Sequence, residues 1–203
     1  MYAVATGKFG MATALVSVTD LTLRDAAGWN VLHHLCSFEI DGSGGVGSES
    51  GEGGDSGVGG GGDGGEKKGS TLEAEAVRVM QIIVAAGGKV HERDQQGSYP
   101  AHIAARSNQV EIVRYLIELY YFPLNLRNHA GLGMLHLAAS RNHVEMCSFL
   151  LGAGSDPLLI SYDGMFPVDL VPDFDVRGES NVRKKIFFFY FLYPLSRRNT
   201  LLV

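Results

Sequence analysis

The chain has 203 residues, room for one domain or a pair of small ones. Its 17 Lys plus Arg against 22 Asp plus Glu give a net charge of -5, so the surface is not built to hold phosphate backbones and nucleic acid is not an expected partner. Two cysteines, Cys36 and Cys147, allow at most one bridge, which points to a reducing compartment, cytoplasmic or nuclear, rather than a disulfide-stapled secreted scaffold.

In chain order, the apolar stretch Met11 to Val18 is short and runs straight into Asp20 and Arg24, so it does not read as a secretory signal. The segment Asp25-Ala-Ala-Gly28-Trp-Asn-Val-Leu32-His33-His-Leu-Cys36 reads as a turn followed by a short helix. Fifteen of the 27 glycines then fall between positions 41 and 69, where the only sizeable apolar residues are Val46 and Val58. Such a stretch has nothing to bury in exchange for the entropy of ordering, so it reads as a disordered acidic loop with a span of roughly 30 Å. No Walker-type or dinucleotide-binding context surrounds these glycines, so they are not a phosphate cradle.

Beyond the glycines the chain repeats itself. Asp94-Gln-Gln-Gly97-Ser-Tyr-Pro-Ala-His102-Ile-Ala104-Ala105 returns 34 positions on as Asn128-His-Ala-Gly131-Leu-Gly-Met-Leu-His136-Leu-Ala138-Ala139. A further copy opens at Ser161-Tyr-Asp-Gly164-Met-Phe-Pro167, 33 positions after Gly131, and the segment at Asp25 is the first of the series. Gly28 precedes Gly97 by 69 residues, so the glycine-rich stretch is an insertion inside repeat one. Each unit parses as a turn whose glycine tolerates positive φ, a short helix such as Pro100 to Arg106, and a second helix such as Val110 to Leu119. The second helices carry apolar stripes, Val110, Val113, Leu116 and Ile117 in one and Val144, Phe149, Leu150 and Leu151 in the next. Helices this short are marginal alone, so neighbouring repeats must bury the stripes.

These residues resemble the ankyrin repeat family, with its turn, its T-P-L-H-x-A-A helix and its closing G-A-D. The resemblance covers about residues 10–38 and 71–174. It implies an all-α ankyrin-repeat solenoid of helix-turn-helix units with short hairpin-like connections, about four repeats long. The chain would divide into 1–40, an N-terminal partial repeat and the first helix of repeat one; 41–70, the disordered insertion; 71–174, the remaining repeats; and 175–203, a basic aromatic tail. The Thr position reads Asn30, Tyr99, Gly133 and Phe166, so the family's Thr to His hydrogen bond is not expected in its usual form. Tyr120-Tyr121-Phe122-Pro123 replaces the usual glycine closure after repeat two and is expected to pack against the adjacent hairpin.

Function follows the same resemblance: a non-catalytic module that recognises a protein partner through its concave face and hairpin tips, as a monomer. The family's variable surface positions fall here on Ala26, Ala27, Trp29, Gln95, Gln96, Ser98, Arg106 and Ser107. They continue through His129, Ala130, Leu132, Ser140 and Arg141 to Tyr162 and Met165. Trp29, just after a turn glycine, is expected to face outward as an anchor. Two alternatives come from other classes: a membrane-associated adaptor attached by its tail, and a regulatory fragment of a larger enzyme or channel.

Other chemistry is not expected. His33, His102 and His136 are repeat-equivalent, and no paired ligands at zinc spacing accompany them, so neither a metal nor any other cofactor is implied. Cys36, at the second Ala position of the family pattern, is expected to be a small buried packing residue and Cys147 to lie in an outer helix, and neither reads as an activated nucleophile. Residues 177–203 hold six basic residues against Glu179 alone. Three readings of this tail stand: a closing helix over Asn181 to Leu192, a membrane interface, or a stretch with no selected role. The small residues between neighbouring first helices carry a direct test. Ala104→Leu is expected to overpack that contact and to cost about 1 to 3 kcal/mol in chemical denaturation.

Overall fold

The computed structural model describes residues 20–38, 68–172 and 182–188. Among the described residues there is no strand, and the architecture is an all-α solenoid. The helices are α1 (Val31–Cys36), α2 (Lys68–Ala85), α3 (Pro100–Arg106), α4 (Val110–Tyr120), α5 (Met134–Ser140) and α6 (Val144–Gly152), followed by a 3-10 turn, Pro167–Leu170. The expected insertion at 41–70 lies outside the described residues up to 67, and its last three residues instead open α2. The partial repeat expected before residue 20 also lies outside them.

Two layers result. The inner row stacks α1 on α3, α3 on α5 and α5 on the 3-10 turn, and the outer row stacks α2 on α4 and α4 on α6. The inner row can approach closely because its facing residues are small. Ala101, Ala104, Ala105, Ala138 and Ala139 are all buried, with Cys36 at the corresponding place in α1. Between the rows lies one continuous apolar core, including Leu32, Met80, Ile83, Ile112, Leu116, Met146 and Leu150. The stripes are therefore nearly those expected, shifted in α6, where Met146 and Cys147 are buried while Val144 and Phe149 are half-buried.

Each hairpin is built the same way from a different residue. Gly28, Gly97, Gly131 and Gly164 take φ of 77°, 74°, 77° and 78° at the tips, where an L side chain would be strained. Three residues before each, a short polar side chain closes the turn. Asp94 Oδ1 accepts from the N–H groups of Gln96 and Ser98 at 2.8 and 2.7 Å, and Asn128 Oδ1 accepts from those of Ala130 and Leu132 at 3.0 and 2.9 Å. Successive tips are also bonded to one another. The N–H groups of Gln95, His129 and Tyr162 donate to the carbonyls of Ala27, Gln96 and Ala130 at 3.1, 3.0 and 3.1 Å.

The three repeat-equivalent histidines add a second set of ties and are fully buried. In α3 and α5 the imidazole Nδ1 accepts from the N–H at the start of its own helix, Tyr99 at 3.4 Å and Gly133 at 3.2 Å. The opposite nitrogen then carries the proton and donates to the following hairpin, His102 Nε2 to Leu126 O at 3.1 Å and His136 Nε2 to Met165 O at 3.2 Å. His33 Nε2 meets Ser98 O in the equivalent way, at 3.1 Å. The usual Thr partner is absent, as expected; at the first repeat Asn30 Oδ1 caps α1 by accepting from Leu32 and His33 N–H, and the Asn30 N–H donates to His33 Nδ1 at 3.3 Å.

The closure after α4 is made by Tyr121, held at φ 49°, and Phe122 turns inward. Phe122 is buried, stacked on His91 and edge-on to Tyr99, while Tyr121 is 87% exposed. The aromatic pair thus splits, one ring into the core and one out. Residues 182–188 form a further helical segment with Val182 and Ile186 buried, and Phe187 and Phe188 exposed. Arg183 donates to Val171 O in the fourth repeat, and Lys185 reaches past that repeat to bond Ser148 in α6. The rest of the expected 181–192 helix lies outside the described residues.

Burial lowers the pKa of His33, His102 and His136 against the hydrogen bonds that oppose it, and brings His102 from 6.5 to about 4. The unfolded chain therefore binds protons at higher pH than the folded one. Stability is complete above about pH 6.5 and falls as pH drops toward the folded value, by about 3 kcal/mol for His102 alone. His102→Gln should lower stability at neutral pH and flatten this acid limb, measured as urea midpoints between pH 7 and 4.

Candidate functional site

The hairpins of repeats two and three and the inner helices beneath them enclose an open groove of about 550 Å³. Gln95, Gln96, His129 and Ala130 form its upper wall, Ile103, Leu132 and Leu137 its apolar floor, and Arg106 its far rim. The tip residues face it because the backbone bonds from each tip to the next hold hairpins side by side. Gln95 is tethered further, its Nε2 donating to Ala26 O at 2.8 Å.

Seven of the positions singled out from sequence line this groove: Gln95, Gln96, Ser98, Arg106, His129, Ala130 and Leu132. Ala26, Ala27, Arg141, Tyr162 and Met165 are exposed but line neighbouring parts of the same row of tips and helix ends. Ser140 is half-buried, its hydroxyl donating to Leu137 O at 2.9 Å. Three positions differ from expectation. Ser98 is 3% exposed, its hydroxyl accepting from Asn128 Nδ2 at 3.3 Å, and Ser107 is 7% exposed in the turn after α3, so both are structural.

Trp29 is the third. Its indole is half-buried against the core, stacked on His33 and edge-on to His34, and its Nε1 donates to Asp94 Oδ2 at 3.1 Å. A carboxylate from the next hairpin has drawn inward the ring that repeat position alone places outside. Sequence reasoning also missed Ile103, Leu137 and Asn128. Ile103 and Leu137 each follow the repeat histidine, the open position of the H-x-A-A pattern, and that register is the signal that marks them.

No group of three or more metal-binding side chains exists among the described residues. Both thiols are buried and free, and burial pushes Cys147 up to about 12 against the opposing charge of Lys185, with Cys36 raised as well. Neither is poised as a nucleophile. No helix among the described residues is long and apolar enough to cross a membrane.

Comparison with known proteins rests on the repeat core. A family model described as Ankyrin repeats (3 copies) matches residues 72–160. That segment belongs to the ankyrin repeat family. The chain is 36% identical over 86 residues to Ankyrin repeat and SOCS box protein 3 of Homo sapiens, covering 40% of this chain and 16% of that protein. It is 31% identical over 97 residues to Alpha-latroinsectotoxin-Lt1a of Latrodectus tredecimguttatus, covering 48% of this chain and 7% of the other. With E3 ubiquitin-protein ligase KEG of Arabidopsis thaliana it shares 36% over 85 residues, 41% of this chain and 5% of the ligase. The likeness therefore spans the ankyrin repeats and a small part of each relative. An ankyrin repeat domain is a non-catalytic fold that generally mediates protein-protein interaction.

Within these ankyrin repeats Asp94 joins tip to tip, since it closes its own hairpin and receives the indole of the previous one. Asp94→Ala should cost about 2 to 3 kcal/mol by leaving three donors without their acceptor. Trp29 is the single tryptophan, so its fluorescence reports the same event, and emission in the variant should shift to longer wavelength.

Proposed function

We propose that the chain is a protein-recognition module whose partner seats a segment in the groove between the second and third hairpins. The observation that carries this reading is the groove itself: apolar floor, amide-bearing walls and one guanidinium, on the inner side of a rigid stack. Sites that bind protein segments combine buried apolar contact with a few oriented polar groups, and this lining has that composition. The walls also come from backbone turns fixed by hydrogen bonds, so little ordering entropy is spent on binding. The relatives are consistent with such a role, because in each the matched segment is a small part of a much larger protein, one of them named for its ankyrin repeats. By the same comparison, the partner and the process it serves belong to whatever this module is joined to or meets.

A photo-crosslinking amino acid placed at Gln96 or at Glu118 in separate variants tests the face used. Gln96 is on the groove wall and Glu118 is exposed on α4 in the outer row. The expected result is a discrete crosslinked partner from position 96 that position 118 does not capture. The same species from position 118 alone would place recognition on the convex face and overturn the proposal.

A further inference from the structure

Charge is distributed unequally between the two faces. The inner helices α1, α3 and α5 contain no aspartate or glutamate. The outer helices carry Glu73, Glu75, Glu111, Glu118 and Glu145 against Lys68, Arg78 and Arg114. These outer carboxylates are near enough to affect one another: burial, then the charges of Glu145 and Glu111, raises the pKa of Glu73. On the inner side two guanidiniums stand without such company. Arg106 ends α3 and Arg141 follows α5, both are exposed, and neither forms an ion pair among the described residues. The loop carrying Arg141 lies against the end of α3, because His143 Nε2 donates to Arg106 O at 2.8 Å. The acids of the first two hairpins are engaged elsewhere: Asp94 by three donors and Asp25 by two backbone N–H groups and His34.

We infer that the groove selects an acidic partner segment, one that places an apolar side chain on the floor of Ile103, Leu132 and Leu137 and a carboxylate against Arg106 and Arg141. This rests on the proposed use of the groove and adds the chemistry of its occupant. The apolar residue supplies the contact area. The carboxylate gives direction, since Arg106, the arginine that lines the groove, ends α3 and Arg141 follows α5, both at helix ends rather than at the hairpin tips. On a chain of net charge -5 the same pair gives an acidic segment a local basic site on the inner face.

The test is selection of phage-displayed random dodecapeptides on three forms of the full chain: wild type, Ala130→Trp, which fills the groove from an exposed tip, and Arg106→Glu with Arg141→Glu. Circular dichroism confirms that each form is folded before use. Wild type should enrich peptides with an apolar residue close to Asp or Glu, the acidic fraction rising about twofold or more, and the double reversal should bind them about tenfold more weakly and favour Lys or Arg instead. Enriched peptides that Ala130→Trp excludes, but that show no acidic bias and bind the double reversal equally, would overturn this inference and leave the groove as the binding site. Peptides that Ala130→Trp still binds, or no enrichment on wild type, would overturn both.

Discussion

A buried neutral imidazole that bonds forward into the next hairpin is the constraint on which this solenoid depends. Each of His102 and His136 is fixed at Nδ1 by the start of its own helix and spends its one proton on a carbonyl of the following repeat. The bond crosses a repeat boundary that helix packing alone leaves free to slide, because the inner row meets through alanines with little relief. The tip-to-tip amide bonds then align the hairpins, and the groove is what remains between them. Rigidity of the site is therefore a property of the joints between units rather than of any one unit.

The joints also explain which parts of the structure were legible in the sequence. The recurrence of Gly97 and Gly131, and of His102 and His136, at one spacing reports local backbone requirements, and those determine the helix pairs and their order. The floor and tips of the groove follow from the same register. Repeat position alone puts Trp29 and Ser98 on the surface, but their environment comes from the neighbouring repeat: the Asp94 carboxylate holds the indole, and Asn128 covers the serine hydroxyl. Spacing within one repeat carries no information about such cross-repeat partners. Phe122 was legible as packing because Pro123 fixes the chain beyond it, but the outward turn of Tyr121 depends on a left-handed helix end that its side chain does not announce.

Departures from the repeat pattern mark where the scaffold compensates. Asn30 restores at the first repeat a side-chain cap that Tyr99 and Gly133 do not supply. Beyond α6, the helical segment 182–188 buries its own Val182 and Ile186 and reaches Ser148 and Val171, so the last outer helix is not left bare among the described residues. Such covering is what a repeat array needs at its ends, where stacking has no further neighbour. It leaves the inner rim with Arg106 and Arg141 open, and the fold thus separates a surface spent on stability from one available for recognition.

The most direct measurement of the central claim is the tautomeric state of the ladder histidines, read from long-range 15N–1H NMR correlations of the imidazole rings at neutral pH. The account predicts that His102 and His136 carry their proton on Nε2, exchange it slowly with solvent, and show no titration near pH 6.5. Nδ1-protonated rings, or imidazolium signals appearing at the ordinary histidine pKa, would contradict it: the repeats would then be joined by packing alone.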